Sequence, residues 1–246
     1  MNSVFKINSV TVVIPTYNEA GNIVPLIEQI IQHVGVKYQL EVIVVDDSSP
    51  DGTARIALDR FVGDDRIKVI QRTEDKGLGS AVGHGMRLAT SDVVVGLDAD
   101  LTHNPSQIPD MVHICERFDL VSGSRFAAGG SMQDRAHYFS SFVFNLWIRI
   151  LLGTQIQDNL AGFFVIRRSV LNKLPQEKIF FGYGDYFIRL LYFAQCSGAS
   201  LVEIPTHYTL RTSGSSKSNY LKMVWTYSSA AIKLLTASKR LGSQRK

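Results

Sequence analysis

Val93 to Pro105 reads VVVGLDADLTHNP, an apolar run followed by two carboxylates, Asp98 and Asp100, with Ala99 between them. Unbroken apolar character from Val93 to Leu97 predicts a strand buried on both faces, and open α/β sheets bind ligands at the carboxyl ends of such strands. Two carboxylates there form a ligand set for a hard cation. Mg²⁺ or Mn²⁺ held this way shares its remaining positions between water and a substrate diphosphate. The plainer alternative is a pair of solvated turn aspartates ahead of Pro105.

Outward from this stretch, apolar runs alternate with helical patterns. Val10–Ile14, Glu41–Val45, Ile67–Ile70 and Asp119–Ser122 are further expected strands. Ile23, Leu26, Ile27, Ile30, Ile31 and Val34 follow helical spacing between the first two, and Ala54–Phe61 and Gly79–Ala89 are the other expected connecting helices. The resulting βαβαβαβ order predicts an α/β fold with a mainly parallel sheet between helices, and right-handed crossovers bring the loops after the strands to one rim. PTYNE, DDSSPDGT and DADLTHNP all fall on that rim. No GxGxxG follows the first strand and no GxxxxGK[ST] occurs, so a dehydrogenase or P-loop ATPase is not indicated.

The other rim segments carry chemistry of their own. Tyr17 could stack on a nucleobase and Glu19 could accept a hydrogen bond from one, or both could simply belong to a loop that opens a helix. Asp46, Asp47 and Ser48 follow a buried strand, while Asp51-Gly52-Thr53 has the composition of a turn and helix cap.

Composition bounds the function classes. A chain of 246 residues with 45% hydrophobic content fits one large domain or one domain with an appendage, and has no disordered-protein character. The start MNSVFKINSV shows neither a secretory nor a transit pattern, so the expectation is a cytosolic protein. Cys115 and Cys196 lie far apart outside metal-ligand spacing, which predicts reduced core thiols. The net charge of +4 is segregated: every acid lies at or before Glu203, where 22 acidic residues face 18 basic ones. The last 43 residues hold eight positives and no acid. A one-sign tail of this kind calls for an anionic partner: nucleic acid, an acidic membrane surface or an acidic protein.

Seven stretches, in order, resemble the signatures of inverting family 2 glycosyltransferases of GT-A fold: VIPTYNEAGNI, EVIVVDDSSPDGT, KGLGSAVGHGM, LDADLTHNP, LVSGSRF, QDNLAGFFVIRRSVL and EIPTHYTLRTSGSSK. The likeness spans roughly residues 9 to 235 and is greatest to the branch that uses dolichyl or polyprenyl phosphate. It implies a Rossmann-like, mixed but mainly parallel sheet sandwiched by helices. It also implies that Pro15, Tyr17, Glu19, Val45 and Asp47 hold the nucleotide, and that Asp98, Ala99 and Asp100 surround metal and diphosphate. Thr102 takes a third metal-side position as a weak neutral ligand acting through water. Arg125, Arg211 and Lys217 are implied to bind donor and acceptor phosphates, with Arg135 and Ser141 as further acceptor-phosphate contacts. The implied donor is GDP-mannose, with UDP-glucose or another UDP-sugar as alternative.

The resemblance leaves the acceptor to be weighed on chemistry. A lipid phosphate is already anionic near neutrality, its second pKa being about 6, and needs no base. A hydroxyl acceptor needs one, and Asp185 in FFGYGDYFIRLL is the candidate, with a first-turn helix acid as its plain reading. The chain departs from the branch at that helix start, and also in having only Arg135 and His137 ahead of its mid-chain amphipathic segment. A non-catalytic nucleotide-sugar or nucleic-acid binding protein is the outside alternative, and no nucleic-acid partner is expected. Phe139–Leu152 is too short to span a bilayer, which takes about 20 apolar residues, and Tyr220–Leu235 alternates apolar residues with Lys222 and Lys233. Each reads either as an interfacial helix or as ordinary sheet cover. The expected organisation is therefore a catalytic domain over residues 1–216 and a basic amphipathic segment over 217–246. That segment would meet an anionic membrane at its cytosolic face, or a small membrane-embedded subunit.

Overall fold

The computed structural model describes residues 5–209 and 220–243. Strands β1 (Ser9–Thr16), β2 (Gln39–Asp46), β3 (Ile67–Gln71) and β4 (Val93–Gly96) alternate with helices α1 (Ile23–His33), α2 (Thr53–Arg60) and α3 (Leu78–Leu88). After a 3-10 turn at Pro105–Gln107 come α4 (Ile108–Cys115), β5 (Leu120–Ser124), β6 (Ser131–Met132) and α5 (Arg135–Leu152). The chain continues through β7 (Phe164–Arg167), α6 (Arg168–Leu171), α7 (Gln176–Ile179) and α8 (Asp185–Cys196), then β8 (Leu201–Pro205), β9 (His207–Tyr208) and α9 (Tyr220–Ser243).

Seven strands form one sheet in the order β3-β2-β1-β4-β7-β5-β8, and β6 pairs with β9 separately. All neighbours in the large sheet run parallel except β7, which is antiparallel to both β4 and β5. The period-2 alternation of strands sorts the apolar side chains. Val93 and Val95 pack on the α1 and α4 side with Val12 and Val44, while Val94 faces the opposite layer with Val13 and Phe164. On that second face α3 comes unusually close, because a Cβ on Gly85 would lie 2.3 Å from Val13 Cγ1. Glycine here is what allows the helix to seat on β1 and β2.

β1 has β2 on one side and β4 on the other, so the chain reverses direction across the sheet at β1. In an open α/β sheet a crevice forms at this point, outside the carboxyl ends of the strands. The loops after β1 and β2 are bonded there, Asn18 N–H donating to the Ser49 hydroxyl (2.9 Å) and Glu19 N–H to the Thr53 hydroxyl (2.9 Å), and the loop after β4 leaves from the neighbouring strand end.

The cysteines differ from the expectation of two core thiols. Cys115 is fully buried on α4, but Cys196 ends α8 in the open. Burial pushes the Cys115 thiol up to about 12, which withholds the thiolate needed for reaction. A thiol reagent at pH 8 is expected to titrate Cys196 in the native protein and Cys115 only after unfolding; two fast thiols without denaturant would contradict this packing.

Candidate active site

Backbone strain marks the rim. The four non-glycine residues with positive φ among the described residues are Asn18 (58°), Ser48 (55°), Asp75 (49°) and Leu101 (60°). One lies in each loop following β1, β2, β3 and β4. Such positions cost of order 1–3 kcal/mol each and persist only where surrounding contacts impose them. Leu101, a bulky residue with no local side-chain bond to offer, is the clearest case.

The contacts that impose it are on either side. Asp100 is buried, and its Oδ1 accepts from the Thr102 backbone N–H (3.1 Å) and hydroxyl (2.7 Å). Thr209 donates through its N–H to the Thr102 carbonyl (3.3 Å) and through its hydroxyl to the Leu101 carbonyl (3.2 Å). Asp98 differs from Asp100 in that 38% of its side chain is exposed. Gly162 sits beside it with φ +68°, where an added Cβ would be 3.6 Å from Asp98 Oδ2 and 3.7 Å from the Tyr186 hydroxyl. Ala99 is buried between the two acids. No group of three His, Cys, Asp or Glu side chains suited to a metal occurs among the described residues. The two carboxylates Asp98 and Asp100 form a donor pair of the kind that would suit a cation completed by diphosphate oxygens and water. Thr102 donates its hydroxyl to Asp100, so it orders that carboxylate first.

On the β2 side Asp46 accepts from the Thr16 hydroxyl (3.0 Å), the Ser49 N–H (2.9 Å) and the Ser49 hydroxyl (2.5 Å). It ties the first two rim loops together. Asp47 is engaged too: Arg72 reaches its Oδ1 through Nε (2.8 Å) and Nη2 (2.5 Å), and the Gly77 N–H donates to its Oδ2 (2.7 Å). Tyr17 stands about half exposed in the loop after β1. Glu19 accepts from the Asn22 side chain (2.7 Å). Pro15 and Val45 are adjacent in register and buried; Val45 packs with Ile43 and Ala81, so both shape the rim from beneath.

Arg125 lies at the end of β5 in a buried fork. Its Nε donates to Asp158 Oδ2 (2.7 Å), its Nη2 to Asp158 Oδ1 (2.6 Å) and its backbone N–H to Oδ2 (3.0 Å). Burial by itself lowers the guanidinium pKa, but Asp158 outweighs it and keeps the pKa above the ordinary arginine value. Phe126 and Tyr208 flank the cation at 5.3 and 4.8 Å. Asp158 is itself held through its N–H by Glu203 (3.0 Å). The implied phosphate ligand is thus placed as a strut between β5 and the 154–162 loop.

Asp185 opens α8 and is buried in an ion pair with Arg189, also accepting from the Tyr183 N–H (3.1 Å). It has the place of a first-turn helix acid, and its carboxylate is bonded to Arg189. Ser141 is buried on α5, where its carbonyl accepts from Asn145 (2.9 Å), and Arg135 begins the same helix in the open. Arg211 and Lys217 fall outside the described residues.

Several residues around Asp98 were not anticipated from sequence. Burial followed by the charge of Asp98 raises the Tyr186 hydroxyl pKa, and burial followed by Asp185 raises that of Tyr227, whose oxygen abuts Gly184. Both phenols stay protonated beside carboxylates. His103 lies under Asp98, its Nε2 3.7 Å from Oδ2. Among these only His103 had a signal in the sequence, its place in the DADLTHNP loop.

A glycosyl transferase family 2 model matches residues 11–175. The chain is 36% identical over 214 residues to the polyprenol monophosphomannose synthase of Mycolicibacterium smegmatis, covering 84% of this chain and 79% of that one. It is 34% identical over 214 residues to the undecaprenyl-phosphate mannosyltransferase of Micrococcus luteus, covering 85% and 86%. Among solved structures, the glucosyl-3-phosphoglycerate synthase of Mycobacterium tuberculosis, in complex with Mn²⁺, UDP-glucose and phosphoglyceric acid, superposes with a TM-score of 0.72 at 20% identity. That likeness covers 92% of this chain and 79% of the other, and it bears on the fold alone. The chain belongs to glycosyl transferase family 2, and its mostly parallel seven-stranded sheet flanked by helices is the fold of GT-A enzymes.

Proposed function

We propose that this glycosyltransferase transfers mannose from GDP-mannose to a dolichyl or polyprenyl phosphate at the cytosolic face of a membrane. The observation that carries the acceptor class is the state of Asp185. Its ion pair with Arg189 leaves the expected base engaged, which disfavours a hydroxyl acceptor and suits a phosphate that arrives as an anion. The names of the relatives at 34–36% identity point the same way. A UDP-sugar donor is the second reading, and the assay below separates the two.

Tyr17 and Glu19 would meet the base, with Pro15, Val45 and Asp47 supporting it from the strand ends. Asp98 and Asp100 would hold Mg²⁺ or Mn²⁺, whose charge would stabilise the departing nucleotide diphosphate. An acceptor phosphate oxygen would form its bond to the anomeric carbon on the face opposite the leaving diphosphate, inverting the configuration. Arg211 and Lys217 are the cations proposed for the two phosphates. Arg125 is proposed to act from behind, keeping the 154–162 loop against the site, and Ser141 and Arg135 are proposed as contacts to the acceptor phosphate.

Membrane contact is proposed through α5 and α9. Asp134 caps α5 by accepting from the His137 N–H (2.9 Å), and Gly153 closes it at φ +65°. One face of α5 packs Phe144, Ile148 and Leu152 against Tyr227, Ala231 and Leu234 of α9. The other face exposes Phe139, Phe142, Val143, Leu146, Trp147 and Ile150, a continuous stripe at helical spacing. No described helix is long and apolar enough to cross a membrane. Residues 217–246 would add basic residues for an anionic surface. Phe139→Glu with Ile150→Glu is expected to abolish flotation with anionic liposomes while leaving the melting temperature within a few degrees, since both side chains are exposed. Unchanged flotation would remove α5 from the membrane contact.

A further inference from the structure

His103 is 2% exposed, and neither of its ring nitrogens has a hydrogen-bond partner among the described residues. The ring is fixed between Phe163, at 5.0 Å between centroids, and Tyr208, edge-on at 4.5 Å. A phenylalanine would fill this place without leaving polar atoms unpaired, and buried polar groups without partners call for an explanation in function. Nε2 lies 3.7 Å from Asp98 Oδ2, just beyond hydrogen-bond distance. The two side chains also differ sharply in access: 1% of His103 is exposed against 38% of Asp98. His103 therefore meets the carboxylate from its buried side, whereas a cation and diphosphate must come from the open side.

We propose that His103 is a positioning residue that donates from Nε2 to Asp98 Oδ2 when a nucleotide diphosphate and its cation bind, fixing the carboxylate so that it presents its outer oxygen to them. The proposal rests on Asp98 being a ligand of that cation. Protein groups behind a liganding carboxylate orient it and tune its affinity, and their loss typically weakens metal binding about 10- to 100-fold. His103 has the placement for this role and no other bonded role among the described residues.

The test measures Mn²⁺ binding to the whole protein by the free-ion electron paramagnetic resonance signal, with GDP in one arm and UDP in the other. His103→Phe, which keeps the ring packing, is expected to weaken Mn²⁺ binding about 10- to 100-fold. His103→Gln retains a donor and is expected to stay within about threefold of wild type, and Asp98→Asn to weaken binding at least as much as His103→Phe. Wild-type affinity in His103→Phe with weakened binding in Asp98→Asn would overturn the positioning role alone. Wild-type affinity in Asp98→Asn would overturn the site assignment and the proposal with it. If His103→Phe does not fold, proton resonance of ¹⁵N-histidine-labelled wild-type protein decides. A slowly exchanging His103 Hε2 signal should appear on adding Mg²⁺ and GDP and be missing in Asp98→Asn; its absence from wild type would overturn the proposal.

Discussion

Replacing Asp100 by asparagine is expected to lower kcat/KM by about 10²- to 10³-fold, the scale on which a single electrostatic contact to developing charge is worth in a water-poor site. Asparagine is the informative substitution, because its side-chain oxygen can still accept from the Thr102 N–H and hydroxyl that now bond Oδ1. The loop around Leu101 should then keep its strained turn, and what is lost is charge. Thermal unfolding should shift by no more than a few degrees. Alanine at the same place would remove both acceptors and confound chemistry with loop order. Transfer that continues at the wild-type rate in Asp100→Asn, or that is indifferent to a chelator, would contradict the assignment of the two carboxylates.

The second large effect is on stability. Asp158→Ala leaves the Arg125 guanidinium buried without its partner, and breaking a buried ion pair from one side costs about 3–5 kcal/mol. Native domains are stable by only about 5–15 kcal/mol in total, so the variant should be strongly destabilised in denaturant. Removing both charges with apolar side chains, as in Arg125→Met with Asp158→Leu, should cost less than the sum of the single changes, because neither charge is then stranded. A single variant within about 1 kcal/mol of wild type would show that the fork between β5 and the 154–162 loop is weaker than its geometry suggests.

The parallel half of the sheet was legible because its strands are local apolar runs bounded by turn residues. Ile67–Ile70 and Val93–Leu97 match β3 and β4 to within one residue. β7 was not read, although FFVIRR carries its residues. It has four residues, and its place between β4 and β5 is decided by antiparallel pairing with both, from chain segments about 45 and 70 residues away. No local pattern encodes such pairing. Side chains show the same division. Asp98 and Asp100 stand out because two acids ending an apolar strand are conspicuous in one dimension. Arg72 and Asp158 are ordinary in sequence and take their roles only from partners that folding delivers, Asp47 and Arg125. Asp185 shows the reverse, since an acid that could have been a base is bound to Arg189 one turn along its own helix.

The two amphipathic segments illustrate a further limit. Interfacial helix and sheet cover looked like exclusive readings of Phe139–Leu152, yet α5 packs one face on α8 and α9 and exposes a second apolar face. α5 thus packs on other helices, and its apolar residues exceed one stripe, so a second face remains for the contact proposed above.

Donor and acceptor together are tested most directly by a transfer assay on the purified protein. Radiolabelled GDP-mannose and UDP-glucose would be supplied in parallel with Mg²⁺ or Mn²⁺ and a polyprenyl phosphate in detergent, and label entering the organic phase would be counted. The account predicts lipid-linked label from GDP-mannose, lost on chelation and lost in Asp100→Asn. Label only from UDP-glucose would overturn the donor, and no lipid-linked label from either, with nucleotide sugar still bound by calorimetry, would contradict the lipid-phosphate acceptor.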